Sequence, residues 1–218
     1  MPVGLVLIGP PGAGKSTLTG ALLDRFHLAR IATGERLRAE IAAGSALGRA
    51  AARHVERGEL VADGLIDRLL RTSLDEIPAD TGFLLDGYPR NVHQADVLDV
   101  VLRDTGRALT AALSLELPDG EVVRRLGGRR ECRGAGAPWV LQVDDAAAVA
   151  RCRAAGGTLV RRDDDRPAVI RQRLAVYRAE TAPLLERYRA AGLLRAVDAT
   201  GPPAEVEARA FAALPSAQ

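Results

Sequence analysis

Eight residues constrain this chain more than any others. Gly9-Pro10-Pro11-Gly12-Ala13-Gly14-Lys15-Ser16 follow a short apolar run, Val3 to Ile8, and precede a helical stripe through Leu18, Leu22 and Phe26. A strand that ends in a glycine-rich turn and restarts as a helix aims backbone N–H groups at one point, which suits phosphate oxygens. The spacing Gly9-x4-Gly14-Lys15-Ser16 is that of a phosphate-binding loop in the strand-to-helix setting it requires, and Lys15 adds a point charge for the outer phosphates. Lys15 is the only lysine among 30 basic residues. A compact ammonium kept where arginine is used everywhere else points to a task that a planar guanidinium does not perform.

The rest of the chain repeats the strand-then-helix alternation. Phe83-Leu84-Leu85 runs into Asp86-Gly87, Ala111 to Leu117 into Pro118-Asp119-Gly120, and Leu193 to Val197 into Asp198. Between these four strand candidates lie helical patterns over Leu65 to Ile77, Val92 to Thr105, a long one from about Pro167 to Ala191, and Ala204 to Leu214. The alternation predicts a three-layer α/β fold, a parallel sheet covered by helices on both faces. In such sheets ligands sit beyond the carboxyl ends of the strands.

Two stretches break the pattern. Residues 34 to 64 read as short helices, and residues 127 to 161 are rich in Gly and Ala with no long helical stripe. A long structureless stretch inside a compact domain is uncommon, so the second reads as a small inserted lid. The last few residues read as a frayed tail.

Charge is almost balanced, 30 basic against 28 acidic residues for a net of +2, which points away from a nucleic-acid or membrane surface. The start MPVGLVLIG is too short and uncharged for a signal peptide, and no run approaches the ~20 apolar residues that span a bilayer. The expectation is a soluble protein in a reducing compartment. Two cysteines, Cys132 and Cys152, do not make a disulfide-built fold.

Two further groups carry chemistry. Asp86 directly follows a strand, as does the acidic residue that holds water on Mg²⁺ in phosphate-loop enzymes, and Arg90 leaves a stiff Tyr88-Pro89 turn. Read alone, the same residues also fit a plain polar turn, the lesser of the two readings. Arg38, Arg129, Arg162 and Arg173 are dispersed, and a single arginine in this chain is ordinarily a solvated surface group. Convergent, they would hold two phosphate chains together against their repulsion.

At this point a family resemblance is plain. GPPGAGKST (9 to 17), ATGERLR (32 to 38), GELV (58 to 61), LLDGYPRNVHQ (84 to 94), RRLGGRR (124 to 130), RRDDDRP (161 to 167) and VIRQRL (169 to 174) resemble the motifs of the adenylate kinases in order and spacing, and VDATGPPAEV follows. The resemblance implies a single domain over 1–218 with a nucleoside-monophosphate-binding flap at 32–61 and a lid at 128–165, and phosphoryl transfer between Mg-ATP and AMP giving two ADP. It implies ATP contacts at Gly12, Ala13, Gly14, Lys15, Ser16, Thr17, Arg125, Arg129, Pro138, Trp139 and Gly201. It implies AMP contacts at Thr33, Arg38, Glu59, Leu60, Val61, Gly87, Tyr88, Pro89, Arg90 and Gln94, with Arg162 and Arg173 bridging both nucleotides. Lys15, Asp86, Arg90, Arg129, Arg162 and Arg173 would be the catalytic set, and Asp164 and Asp165 the carboxylates that close the lid. A cytoplasmic monomer acting on free nucleotides is the family's usual form.

Departures leave alternatives open. Ser16 stands where the family usually has glycine, Ala199 replaces the glycine of its Asp-Gly-Thr turn, and Asn91 after Pro-Arg resembles the pyrimidine monophosphate kinases. A nucleotide-sensing paralogue without transfer, or a small-metabolite kinase with the same loop, is a rival of another class. In zinc-bearing members the lid carries two Cys-x2-Cys-like pairs, whereas Ala135 and Ala155 here supply no ligand beside Cys132 and Cys152. The expectation is a lid without zinc, with both thiols free, packed on Trp139, Val140 and Leu141. A Cys132–Cys152 disulfide is geometrically conceivable, but a reducing cytosol disfavours it.

Overall fold

The computed structural model describes residues 2–134 and 136–214. Ala135 and the tail residues 215–218, on which two of the expectations above fall, lie outside the described residues.

Apolar strands dictate the centre. β1 (Gly4–Ile8) is buried along its whole length, and the helix α1 (Lys15–Arg25) starts directly after the glycine turn. β2 (Leu28–Ala32) follows, then α2 (Thr33–Ala42), α3 (Ala46–Arg57) and α4 (Asp63–Asp75). β3 (Gly82–Asp86) is again wholly buried; α5 (Val92–Asp104), β4 (Ala111–Glu116) and α6 (Asp119–Gly128) continue the alternation. Next come β5 (Arg129–Arg133), β6 (Trp139–Gln142), α7 (Ala146–Ala154) and β7 (Thr158–Val160). A 3-10 turn over Asp163–Asp165 leads into α8 (Pro167–Val176), a π-helical turn Tyr177–Thr181, α9 (Pro183–Ala190), β8 (Leu194–Asp198) and α10 (Pro203–Ala213).

The main sheet is parallel, in the order β2-β3-β1-β4-β8. Side-chain alternation divides its core in two. Leu5, Leu7, Leu84, Leu113 and Leu115 pack on α1, α8 and α10, while Val6, Ile8, Phe83, Leu85 and Ala112 pack on α4, α5 and α9. Each such buried side chain contributes about 1.5–3 kcal/mol, so the strand ends that carry Gly9 and Asp86 project from the most rigid part of the molecule.

Three sequence expectations change here. The sheet has a fifth strand, β2, which the sequence reading missed: it is an edge strand with a mixed face, its Arg30 exposed between Ala29 and Ile31, and so lacks an apolar run. The long helix expected over 167–191 is broken by a π-turn ahead of Pro183, whose missing N–H and bulky ring suit the first turn of a new helix. The stretch 127 to 161, read as having no long helical stripe, holds one short helix, α7, capped by Asp145 accepting from Ala148 N at 2.9 Å.

β6-β5-β7 make a separate antiparallel sheet. Its small core holds Cys132, Leu141, Ala148 and Cys152, with Trp139 against it. Val140, expected in that cluster, is instead 52 % exposed, because strand alternation sends it to the face opposite Trp139 and Leu141. The free-thiol expectation is also corrected: Cys132 and Cys152 are joined in a disulfide, their Cα atoms 5.9 Å apart. α7 packs on β6 and β7, the strands that flank β5, which puts the two sulfurs together in this small core. No group of three or more metal-ligating side chains occurs among the described residues.

Candidate active site

A cavity of about 840 Å³ opens at the carboxyl ends of β1 and β3. Its floor is the glycine loop. Gly12 has φ +80°, and a Cβ there would lie 2.9 Å from Leu126 Cγ, so only glycine lets the loop close against α6. Gly14, also left-handed, caps α1 and leaves the helix N-terminus facing the cavity.

Lys15 Nζ donates to Gly9 O at 2.7 Å and to Pro10 O at 2.9 Å, so its ammonium is held over the loop by the loop's own carbonyls. Burial pushes its pKa down to about 8; Asp86 works the other way, while Arg90, Arg173 and Arg129 add to the depression. Ser16 Oγ donates to Asp86 Oδ2 at 3.1 Å. A hydroxyl beside a carboxylate at the end of a phosphate loop is the hard oxygen pair that Mg²⁺ favours, and Ser16 thereby adds a hydroxyl where the resemblance led one to expect glycine.

Arginines form the walls. A Cβ on Gly34 would lie 3.5 Å from both Arg38 Nη1 and Arg90 Nη2, so these two guanidiniums converge over α2. Arg90 is fixed through its backbone: Arg90 N donates to Gln94 Oε1 at 2.7 Å and Arg90 O accepts from Thr181 Oγ1 at 2.7 Å. Its Nε donates to Gly87 O at 2.8 Å. Across the cavity Arg129 makes a two-point pair with Asp165, at 2.7 and 2.6 Å. Asp164 receives Arg162 at 3.0 and 3.1 Å and Arg173 at 3.1 Å. Burial alone would raise the Asp164 carboxyl, yet Arg173, Arg162, Arg129 and Arg38 outweigh it and hold it below the ordinary range.

The balance remains cationic. Arg38 and Arg173 are each lowered to about 10, chiefly by burial, with Arg162 adding to the depression at Arg38 and Arg129 at Arg173 while Asp164 opposes it at both. Such repulsion is relieved by anions, and the cavity is thus shaped for several phosphates at once.

The family is settled by comparison. A family model described as adenylate kinase matches residues 7–193. The chain is 43 % identical to the adenylate kinase of Acidothermus cellulolyticus over 210 residues, covering 96 % of this chain and 97 % of that one. It is 44 % identical to that of Salinispora tropica over 212 residues, with 97 % and 98 % covered, and 40 % identical to that of Thermodesulfovibrio yellowstonii over 197 residues, with 90 % and 92 % covered. The chain belongs to the adenylate kinase family.

Within this adenylate kinase fold, most of the residues singled out by sequence meet at the one cavity. Gly12 to Thr17, Asp86 and Gly87 form its base, and Arg125, Arg129, Pro138 and Gly201 one rim. Arg38, Leu60, Pro89, Arg90, Arg162 and Arg173 form the other. Arg125 is braced by Glu121 and donates to Ala199 O at 2.9 Å, so the backbone of the altered turn still fixes this side chain.

Others stand behind the surface. Thr33 is buried and donates to Gly87 O at 3.1 Å; Glu59 pairs with His54 at 3.2 Å; Val61 is in the core. Tyr88 is fully buried, its hydroxyl shared between Asp67 Oδ1 at 2.9 Å and Gln94 O at 2.8 Å. Trp139 lies under the Arg151 guanidinium, 4.5 Å from ring centre to carbon, in the lid core. Asp164 and Asp165 act on the cavity through the arginines they hold.

Gln94 differs most from a free base reader. It is 2 % exposed, its Oε1 taken by Arg90 N and its Nε2 donating to Asp63 Oδ1 at 2.7 Å. Asn91 caps α5 beside it, accepting from Gln94 N at 2.8 Å and donating to the same Asp63 at 3.1 Å. Gln94→Leu leaves Arg90 N without its partner and Asp63 with only Asn91, so it is expected to cost about 1–3 kcal/mol in denaturant unfolding as well as weakening AMP use. Unchanged stability would show that these bonds are dispensable.

Sequence reasoning missed Asp63, Thr181 and Arg30. Asp63 and Thr181 matter only through partners 28 to 91 residues away, and Arg30 lies on the strand that was not recognised. The one available signal was Pro183, which implies a helix break near Thr181.

Proposed function

We propose that the chain transfers the terminal phosphoryl group of Mg-ATP reversibly to AMP, giving two ADP. The observation that carries this reading is the convergence of Lys15, Arg38, Arg90, Arg129, Arg162 and Arg173 on one cavity beside a phosphate loop. The names of the relatives support the same reaction.

ATP phosphates lie on the N–H groups from Gly12 to Thr17, with Lys15 on the outer oxygens. The AMP phosphate is gripped by Arg38 and Arg90. Arg129, Arg162 and Arg173 take the group in flight, where negative charge is densest. An AMP phosphate oxygen, already anionic, attacks the γ-phosphorus in line; the new O–P bond forms as the bond to the β-phosphate oxygen breaks, and no general base is required. Ser16 and Asp86 are the residues to hold Mg²⁺, which supplies charge neutralisation across the outer phosphates when bound.

Residues 32–61 and 128–165 act as two flaps over AMP and ATP. Closing them excludes water, which would otherwise accept the phosphoryl group. Asp164 and Asp165 release or take up their arginines as the nucleotides arrive. No helix among the described residues is long and apolar enough to cross a membrane, and the reading includes a cytoplasmic monomer working on free nucleotides.

The test is a coupled assay with Mg-ATP and AMP, CMP, UMP or GMP. AMP is expected to be preferred by at least about tenfold in kcat/KM; a pyrimidine preference would reassign the acceptor, and no transfer at all would favour a sensor. The pH profile gives a second check. The Lys15 ammonium, with its pKa down to about 8, is the form that binds phosphate. It is fully charged below that pH and discharged above it, so kcat/KM for ATP is expected to be flat up to pH 7.5 and to fall about tenfold per unit beyond about 8.5. Bound phosphates raise that pKa, so the fall in kcat comes at higher pH. A profile level to pH 10 would take Lys15 out of this role.

A further inference from the structure

Arg30 is a guanidinium near the phosphate loop for which phosphoryl transfer gives no task. It stands on the edge strand β2, outside the stretches that resemble the family motifs, and does not line the nucleotide cavity. It lines instead a smaller cleft of about 270 Å³ behind α2. Its charge is therefore spent on carboxylates. Arg30 Nη1 and Nη2 donate to Glu35 Oε2 and Oε1 at 2.9 and 2.6 Å, and the same Nη2 reaches Asp86 Oδ2 at 3.3 Å. That oxygen is also the acceptor of Ser16 Oγ. Glu35 and Asp86 both face the nucleotide cavity, and Arg30 joins them from the rear.

We propose that Arg30 is a resident counter-cation of Asp86 and its neighbour Glu35, one that sets how much Mg²⁺ the enzyme needs. This rests on reading Ser16 and Asp86 as the magnesium site. Two carboxylates facing the outer phosphates present two negative charges, and Arg30 cancels one. Its Nη2 also sits on Asp86 Oδ2, an oxygen the carboxylate would otherwise offer toward Mg²⁺, so the metal would bind against a partner already in place. The Arg30 side chain is 28 % exposed, and solvent screening keeps the effect moderate. The expected size is about fivefold in apparent Mg²⁺ affinity.

The experiment measures binding of a non-hydrolysable ATP analogue by calorimetry, with chelator and with saturating Mg²⁺, in the wild type, Arg30→Gln and Asp86→Asn. Thermal unfolding of each variant confirms that the fold is kept. Arg30→Gln is expected to raise the ratio of Mg²⁺-loaded to Mg²⁺-free affinity about fivefold and to lower the Mg²⁺ midpoint of turnover by a similar factor. A ratio that is unchanged or lower in Arg30→Gln overturns the proposal. Asp86→Asn separates the two readings. If it abolishes the Mg²⁺ dependence while Arg30→Gln does nothing, only the role of Arg30 falls; if it leaves the dependence intact, the magnesium site itself is wrong.

Discussion

Lys15→Met is expected to lower kcat/KM by about 10³-fold or more while leaving the unfolding midpoint within a few degrees of the wild type. The ammonium is the only non-arginine cation of the cavity, and it is poised on two carbonyls at 2.7 and 2.9 Å, within reach of the outer phosphates. Methionine fills nearly the same volume, so packing against the loop changes little. Electrostatics points the same way. With the folded-state pKa down at about 8 against an ordinary 10.5, the charged form is disfavoured by the fold, and deleting the charge removes a repulsion from Arg90, Arg173 and Arg129. The measurement is steady-state kinetics with both nucleotides beside thermal unfolding at pH 7. Turnover within about tenfold of normal would dismiss the phosphate-loop assignment, whereas a large loss of stability would make Lys15 a structural residue.

Arg173→Ala combines a kinetic and a structural loss. Arg173 Nη1 donates to Asp164 O and Oδ2, both at 3.1 Å, and stands 3.5 Å from Asp165 Oδ1. Removing it is expected to reduce kcat by about 10³-fold, because the charge in flight between the two nucleotides loses one of its clamps. Stability should fall by only about 1–2 kcal/mol, since Asp165, whose side chain is fully buried, keeps its two-point pair with Arg129. Arg173→Lys retains the charge and loses the planar fork, and should recover less than a tenth of the lost rate. Denaturant titration and single-turnover kinetics separate the two effects. If Arg173→Ala loses stability but keeps turnover, the residue only braces the lid carboxylates.

The contrast between these variants and Gln94→Leu shows how the site is built. Lys15, in the proposed reaction, is a charge carried on a loop whose own carbonyls hold it. Gln94 is a strut whose amide holds Arg90 N and Asp63, so its removal is felt in stability as well as activity. Arg90 is held from two sides, by Gln94 and by the Thr181 hydroxyl on the π-turn, which explains why a break in the helix falls at that point. A π-turn rotates the residues after it, and here it brings Thr181 onto a carbonyl 91 residues earlier.

What sequence alone determined about this protein is what short-range chemistry controls. The phosphate loop is legible because strand, glycine turn and helix are contiguous, and each residue's type is required by its own backbone or ligand. Asp86 and Arg90 are legible for the same reason, as residues one step beyond a buried strand. Tertiary structure decided the rest. The edge strand β2 gains its partner only from β3, so its mixed residues gave no signal, and Arg30 was hidden with it. Gln94 is assigned to AMP by resemblance, but its two ends are used by Arg90 and Asp63, a pairing visible only once α4 and α5 lie side by side. Cys132 and Cys152 are twenty residues apart in the chain, and only the packing of α7 on the strands that flank β5 joins them. In each case the deciding contact is between residues distant in sequence, and its free energy depends on a distance that folding creates.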